Sequence, residues 1–200
     1  MTRYKLAFAV VKYIEFGGMQ RSLLRIAQEC ARRGHEVHLF TASWQGPAPD
    51  GIPLHVLPTR AWTNHSRNRE FGWRLQEAVA GHFDCLAGFS KLPGLDVYYL
   101  GETCYAVRVG RRRTHAYKLL PRYRCLAQLE RAVFAPGTRT EILFVAPQEA
   151  EDCVDYYGTE RTRLHLLPPG INRERLLANA GAKPIARRYA RSWVWVARSI

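Results

Sequence analysis

The sequence predicts an α/β protein with a Rossmann-like, doubly wound and mainly parallel sheet. Short apolar segments rich in β-branched and aromatic residues alternate with segments whose apolar residues recur at helical spacing. A glycine pair, Gly17-Gly18, separates the first such strand from the first helix, and a Pro-Pro-Gly sequence at 168–170 follows the last strand. With 200 residues and 47% apolar content, the chain is long enough for one sizeable core.

The first strand is predicted at Arg3–Tyr13, an aromatic and β-branched segment that ends before the glycine pair. The first helix is predicted at Met19–Arg33, where apolar residues share one face and Gly34 is suited to end the helix. Pro121 is expected to kink or break a later helix. The remaining strands are predicted at His35–Ala42, Leu54–Pro58, Cys85–Phe89, Val97–Leu100, Glu141–Ala146 and Arg163–Leu167, and the remaining helices at Asn68–Gly81, Thr114–Phe134 and Gln148–Tyr157.

Strands separated by helices pair in parallel through right-handed crossovers, which gives the doubly wound arrangement. Residues 1–168 are expected to form this domain, and residues 169–182 an interdomain crossing after the stiff Pro-Pro-Gly exit. Residues 183–200 are interpreted as an aberrant tail, because they lack a strand pattern and Ser192–Val196 would make an unusual surface. A frameshift in the coding DNA beyond Lys183 would explain this tail.

The net charge of +13 is concentrated in two places. Cys104–Arg131 carries eight Lys or Arg residues against one acidic residue, and Gly181–Ile200 carries five bases and no acid. Basic residues among Tyr and Leu suit an anionic membrane surface. Nucleic acid and a solvated charged face are the alternatives, and the membrane is favoured because no nucleic-acid-binding fold signature occurs. The candidate membrane residues are Arg108, Arg111, Arg112, Arg113, Lys118, Arg122 and Arg124, with Tyr105, Tyr117, Tyr123, Leu119 and Leu120 as apolar anchors.

The composition also argues against several classes of protein. Five widely spaced cysteines without a CxxC pair predict reduced, mostly buried thiols in a cytoplasmic protein, not a disulfide framework or a zinc site. The longest apolar runs, such as Leu6–Val11, are too short to span a bilayer. No small-residue cleavage site follows that run, so a secretory signal is not expected.

The glycine pair is the first candidate site. In an open parallel sheet, ligands bind beyond the carboxyl ends of the strands. A turn without Cβ atoms lets backbone N–H groups approach a ligand, and the helix N-terminus favours an anion. Gly17 and Gly18 therefore suit a phosphate or a sugar hydroxyl, although a tight turn that only packs explains them equally well.

Two further sites follow later strands. Asn64, His65 and Arg67 crowd hydrogen-bonding groups into one loop, as a polyhydroxyl or phosphorylated ligand would require, while His65 alone reads as an ordinary loop histidine and Asn68 as a helix cap. Lys91 and Glu102 follow neighbouring strands and are expected at the same sheet edge. A carboxylate there could orient a sugar hydroxyl or act as a base, and the alternative is a surface charge pair.

Four segments of the chain carry a family resemblance. They are Lys12-Tyr13 with Phe16-Gly17-Gly18-Met19-Gln20-Arg21, then Thr63-Asn64-His65-Ser66-Arg67-Asn68, Pro93-Gly94-Leu95-Asp96-Val97-Tyr98 and Leu167-Pro168-Pro169-Gly170-Ile171. In this order and spacing they resemble the lipopolysaccharide core glucosyltransferase I proteins, which are retaining family 4 glycosyltransferases of GT-B fold. The likeness extends from about Tyr4 to about Arg175.

The resemblance implies transfer of glucose from UDP-glucose to an inner-core heptose of lipopolysaccharide, without a metal, at the cytoplasmic face of the inner membrane. It implies that Gly18 approaches the donor diphosphate, that Glu102 stands near the reacting sugar where the family has an aspartate, and that Arg175 reaches the donor phosphates. Ser22 departs from the family, which usually has an acidic residue there. The acceptor is expected to contact Asn64, His65, Arg67 and Lys91.

A GT-B enzyme needs a second Rossmann-like domain to stabilise the charge of the leaving nucleotide. The sequence stops where that domain is expected to begin, so the 200-residue chain alone is predicted not to turn over UDP-glucose. Two alternatives to a fragment of an enzyme stay open. One is a non-catalytic module that binds anionic lipid or lipopolysaccharide, and the other is a nucleic-acid-binding protein, for which the sequence offers only charge.

Overall fold

The computed structural model describes residues 2–15, 17–112 and 115–167, and within these ranges the chain forms seven strands, five α-helices and two 3-10 helices. The strands are β1 Lys5–Ile14, β2 Glu36–Gln45, β3 Leu54–Val56, β4 Cys85–Gly88, β5 Val97–Leu100, β6 Glu141–Phe144 and β7 Leu164–Leu166. The α-helices are α1 Gly18–Arg32, α2 Asn64–Val79, α3 Tyr105–Arg112, α4 Pro121–Phe134 and α5 Pro147–Tyr157, and the 3-10 helices are His115–Leu119 and Arg161–Arg163.

The strands form one parallel sheet in the order β3-β2-β1-β4-β5-β6-β7. β1 pairs with β2 on one side, with Lys5 opposite Glu36, and with β4 on the other side, with Leu6 opposite Cys85. The chain adds strands in one direction up to β3 and then returns past β1 to add the others. The sheet is therefore doubly wound with its switch point between β1 and β4, which confirms the predicted fold class.

Alternate residues of β1 enter different cores, as the side-chain period of a strand requires. Ala7 and Ala9 belong to the core beneath α2, α4 and α5, whereas Phe8 and Val10 belong to the core beneath α1. An apolar cavity of about 360 Å³ lies on the α1 face. Its lining extends from Phe89 toward the amino ends of the strands, so it is separate from the carboxyl-end edge where the candidate residues converge.

Most predicted elements are confirmed with small differences at their ends, but three differ. The second long helix begins at Asn64 and not at Asn68, because Thr63 caps it by accepting a hydrogen bond from the Ser66 N–H. The helix predicted at 114–134 is a 3-10 helix followed by α4, which begins at Pro121, so this proline breaks the helix. The helix α3 was not predicted.

All five cysteines are free thiols, and all but Cys30 are buried, in line with the prediction of reduced, mostly buried residues. Cys104 and Cys153 lie with their sulfur atoms 3.4 Å apart. Several predictions fall on residues outside the described ranges: Phe16 of the glycine turn, Arg113, Arg175, the crossing at 169–182 and the tail at 183–200.

Candidate functional site

The switch point between β1 and β4 places the glycine turn beside the end of β4. The Ser90 hydroxyl, just past β4, accepts a hydrogen bond from the Val11 N–H of β1 at 3.0 Å. The Tyr99 hydroxyl of β5 donates to Ser22 of α1 at 3.2 Å, which ties the start of α1 to the next strand. The predicted convergence of the first helix with the ends of β4 and β5 is therefore observed.

Gly17 and Gly18 form the start of α1, with Gly17 as its extended N-cap residue. Among the described residues, no side chain hydrogen-bonds to cap this helix, and its first turn contains no acidic residue. A Cβ at Gly18 would meet nothing within 4 Å, whereas one at Gly17 would meet the flexible Gln20 side chain. Neither glycine has a positive φ, so the turn does not require glycine for its backbone geometry. What Gly18 provides is an open approach to the helix N-terminus.

Lys91 and Glu102 come together as predicted, with their charged atoms 3.5 Å apart. Lys91 is not a surface residue, since its side chain is 10% exposed and its Nζ also lies 2.7 Å from the carboxylate of Glu130. Burial lowers the pKa of Lys91, but the carboxylates of Glu130 and Glu102 outweigh it, so the pKa is raised above its usual value. Lys91 therefore stays charged and holds Glu102, which is 57% exposed, at the edge of the cleft.

Glu130 of α4 is the residue that organises this edge, and sequence reasoning did not identify it. Its carboxylate is 1% exposed and accepts hydrogen bonds from the Tyr105 N–H at 2.5 Å, the Ala106 N–H at 2.9 Å and the Tyr157 hydroxyl at 2.6 Å, besides pairing with Lys91. It thus caps the N-terminus of α3 and joins α3, α4 and α5 to the end of β4. The sequence offered one sign of this role: Glu130 is the one acidic residue in a basic stretch, and it lies on the apolar face of its helix.

Glu149, in the first turn of α5, adds a third carboxylate near Lys91. Its pKa is raised above the usual value, chiefly by burial, while the nearby charge of Lys91 acts in the opposite direction. Burial also raises the pKa of the Tyr157 hydroxyl, and its hydrogen bond to Glu130 adds to this effect. The edge therefore combines one ammonium group with several carboxylates, an arrangement that can orient sugar hydroxyls through hydrogen bonds.

The prediction that Asn64, His65 and Arg67 lie in a loop is wrong, because Thr63 caps α2 and these three residues form its first turn. Two of them use their side chains for contacts within the protein. Arg67 donates from Nε to the Ala61 carbonyl oxygen at 2.7 Å, and the His65 ring lies 3.3 Å from the Thr63 hydroxyl. Asn64 is exposed in the first turn of the helix. The interpretation of Asn68 as the cap is wrong, because Thr63 takes that role and Asn68 lies inside α2.

The basic stretch forms α3, a 3-10 helix and the first part of α4. Arg108, Arg122 and Arg124 are exposed, and Lys118 is half-buried. Arg111 and Arg112 lie in α3, but their side chains, like Arg113, are outside the described part of the structure. The prediction that tyrosines serve as surface anchors is wrong for Tyr105 and Tyr123, which are buried because they pack α3 against α4.

The exposed apolar residues of this stretch are Leu119, at 77%, and Leu120. No helix in the described ranges is both long and apolar enough to cross a membrane. Those same ranges contain no group of three or more His, Cys, Asp or Glu side chains that could hold a metal ion, and the absence of a metal requirement stays a prediction.

A doubly wound sheet with a helix N-terminus at its switch point is an architecture that binds nucleotide ligands beyond the carboxyl ends of its strands. The model of glycosyltransferase family 4 matches residues 16–175, and the chain belongs to this family. It is 40% identical over 171 residues to the lipopolysaccharide glucosyltransferase WaaG of Escherichia coli K12. The matching region covers 85% of this chain and 46% of that relative.

Solved structures agree with this assignment. The crystal structure of WaaG, a glycosyltransferase involved in lipopolysaccharide biosynthesis, matches with a TM-score of 0.83 and 39% identity over 91% of this chain and 49% of that one. A glycosyltransferase from Rickettsia africae ESF-5 shares the fold with a TM-score of 0.57 and 11% identity over 92% of this chain and 47% of that one. The chain therefore spans about half the length of the relatives it matches.

Proposed function

We propose that this chain is the acceptor-side half of a retaining glucosyltransferase, which transfers glucose from UDP-glucose to an inner-core heptose of lipopolysaccharide. The observation that carries the proposal is the 40% identity to a lipopolysaccharide glucosyltransferase along 171 residues. The geometry supports it, because Gly18, Lys91 and Glu102 lie at the carboxyl ends of neighbouring strands, where ligands of such sheets bind.

The open N-terminus of α1 suits the diphosphate of the donor. Its backbone N–H groups and helix dipole favour an anion, and a Cβ at Gly18 would meet no side chain within 4 Å. Arg175, beyond the described residues, is proposed as a second contact to the donor phosphates. No metal is proposed in the reaction, since these groups and the half of the relatives that this chain does not cover would supply the positive charge.

Glu102 is proposed to stand near the reacting sugar, where it would stabilise positive charge that develops on the sugar ring or accept a hydroxyl hydrogen bond. Lys91 keeps Glu102 in place from a buried position 3.5 Å away. The acceptor is proposed to enter between this edge and the start of α2. It would contact Lys91 and, in the first turn of α2, Asn64, His65 and Arg67.

The membrane is proposed as the place of action, at the cytoplasmic face of the bacterial inner membrane. Arg108, Arg122 and Arg124 are exposed on α3 and α4 near two exposed leucines. Each basic residue near an anionic surface contributes on the order of 1 kcal/mol to binding. A peripheral enzyme would in this way stay beside its lipid-linked acceptor. Nucleic acid is not proposed as a partner.

A chimaera tests the activity. Residues 1–175 of this chain would be joined to the remaining half of the E. coli relative and assayed for glucose transfer from UDP-glucose to heptose-terminated lipopolysaccharide. We expect transfer by the chimaera and none by the 200-residue chain alone, because the leaving UDP lacks its charge-stabilising groups there. Clear transfer by the chain alone would contradict the predicted inactivity.

Glu102 provides the internal control of this experiment. Glu102→Gln in the chimaera is expected to lower transfer at least about tenfold through loss of the charge, while Glu102→Asp keeps most of it. The exposed Glu77→Gln in α2 is the matched control and should leave transfer unchanged. A folded chimaera that binds anionic vesicles but transfers no glucose would favour the non-catalytic lipid-binding module instead.

A further inference from the structure

Trp62, in the loop between β3 and α2, is 96% exposed. A single exposed apolar residue is ordinary on a protein surface and by itself indicates nothing. The loop around this tryptophan, its position in the fold and its charged neighbours are three separate observations, and together they indicate what the indole contacts.

The backbone on both sides of Trp62 is held in place. The Glu70 carboxylate accepts hydrogen bonds from the Arg60 N–H at 3.0 Å and the Ala61 N–H at 2.9 Å, and Arg67 donates to the Ala61 carbonyl oxygen. These two backbone donors are the main reason that the pKa of Glu70 is lowered. On the other side, Thr63 caps α2. The exposure of Trp62 is therefore built into the fold and is not the result of a slack loop.

Trp62 lies at the same end of the molecule as the exposed leucines of the basic stretch. The helices α2 and α4 pack against each other, and Cys125 Sγ donates to the His65 carbonyl oxygen at 3.4 Å, near the start of each helix. Leu120 lies five residues before Cys125, and Trp62 lies three residues before His65. Trp62 and Leu120 therefore each lie just before a helix whose first turns contact those of the other helix.

The charge of both segments has one sign. Residues 57–69 and 115–129 contain no Asp or Glu. The bases in these two segments are Arg60, Arg67, Arg69, Lys118, Arg122 and Arg124. Tryptophan flanked by bases is typical of the water–lipid interface, where the ring lies at the level of the headgroups and the bases meet anionic lipid. The Glu70 carboxylate also contacts the loop, but it is bound to the loop backbone and to Arg74, so bases predominate on this surface, as an anionic bilayer requires.

We propose that Trp62 is an interfacial anchor that enters an anionic bilayer beside Leu119 and Leu120, so that two separate segments of the chain contact the membrane. This inference rests on the membrane location proposed above. It adds a residue from outside the basic stretch, and it places the membrane contact across the end of the molecule that also carries the sugar-binding edge.

Vesicle binding of the 200-residue chain tests the inference without any enzymatic activity. The lipid would be phosphatidylcholine with about one third phosphatidylglycerol, and binding would be measured by co-sedimentation at low and at high salt. Trp62→Ser is expected to weaken binding about tenfold, because the indole is the largest apolar group in the contact. The weakening of vesicle binding by Trp62→Ser should be similar at both salt concentrations. The double change Arg122→Gln and Arg124→Gln should weaken binding mainly at low salt.

Trp73→Ser is the matched control, since Trp73 is 63% exposed on α2 but lies about 14 Å farther along the helix from its start. It should bind vesicles like the unaltered chain, and both variants should keep the unfolding midpoint. Equal binding by Trp62→Ser and the unaltered chain would overturn the anchor while leaving the membrane location intact. Absence of vesicle binding by the unaltered chain would overturn both. An effect of Trp62→Ser on binding of soluble core oligosaccharide, but not of vesicles, would make the indole a sugar-stacking residue and likewise overturn the anchor.

Discussion

Replacement of Arg163 by alanine is expected to be strongly destabilising, although Arg163 lies away from the cleft. Arg163 is buried, and its guanidinium lies at the end of α4. It donates to the carbonyl oxygens of Val133, Phe134 and Ala135, and it also contacts Thr138 and Thr140 at 2.7 and 2.9 Å. These carbonyls belong to the last turn of the helix and have no partner within it.

The size of the effect follows from these contacts. Each buried acceptor that loses its donor costs about 1 to 3 kcal/mol, and water entering the vacated space recovers part of the loss. The carbonyls of Val133, Phe134 and Ala135 lose one of their donors at the same time and keep those of Thr138 and Thr159. Glu160 Oε2 also loses its partner at 2.8 Å. Arg163→Ala is therefore expected to lower the free energy of unfolding by about 3 to 5 kcal/mol, a large part of the stability of a typical domain.

Urea unfolding of the 200-residue chain, followed by circular dichroism, measures this loss. Arg161→Ala is the matched control two residues away, because its bidentate pair with Glu151 is exposed and such pairs contribute at most about 1 kcal/mol. Arg163→Lys keeps the charge but supplies fewer donors, so it should fall between the two and stays measurable if the alanine variant does not fold. Equal midpoints for Arg163→Ala and Arg161→Ala would refute the reasoning.

Two further predictions concern buried polar groups. Glu130→Gln removes the charge that pairs with Lys91 and should lower the free energy of unfolding by about 2 kcal/mol or more. The exposed Glu102→Gln should lower it by at most about 1 kcal/mol. Equal losses for the two variants in urea unfolding would contradict this. The pKa of His55 is lowered from 6.5 by burial and by His38, whose ring nitrogen lies 2.8 Å away. The unfolded chain therefore takes up a proton first, and stability should fall as the pH drops below about 6.5. His55→Gln should flatten this dependence while the exposed His82→Gln should not, and unchanged curves for both would exclude the histidine pair as its cause.

The doubly wound parallel sheet was predictable because each β-strand and its crossover are local in sequence and right-handed connections leave few alternatives. The helix α3 could not be predicted in this way. Its sequence is rich in arginine, and its N-terminus is capped by Glu130, which lies 24 and 25 residues from the two backbone N–H groups that it binds. No local pattern shows a cap that arrives from another helix. The start of α2 was misplaced for a related reason: both Thr63 and Asn68 are good cap residues, and only the backbone conformation decides between them.

Part of the candidate site could be predicted from the sequence, and part of it depends on contacts between distant residues. Lys91 and Glu102 could be brought together from the sequence, because the ends of neighbouring parallel strands meet at one edge of the sheet. That Lys91 is buried, and that Glu130 holds it, depends on a contact between residues 39 positions apart. The misassigned tyrosines show the same limit, since a stretch that alternates basic and aromatic residues does not reveal which aromatic rings pack between its own helices.

The helix α4 connects the two proposed ends of the acceptor's path. Glu130 lies at the level of the sheet edge, where it meets Lys91, and Cys125 lies at the level of the α2 N-terminus. Pro121 begins the helix nine residues before Glu130, which at the rise of an α-helix is about 14 Å along its axis. Because the helix is rigid over this length, a bilayer that lies perpendicular to the α4 axis and meets Leu119 and Leu120 stays about that far from the proposed sugar-binding edge. In that orientation a sugar at the very surface of the lipid would not reach Glu102, whereas one carried on several preceding sugar units would, which fits the proposed core acceptor better than a bare lipid headgroup.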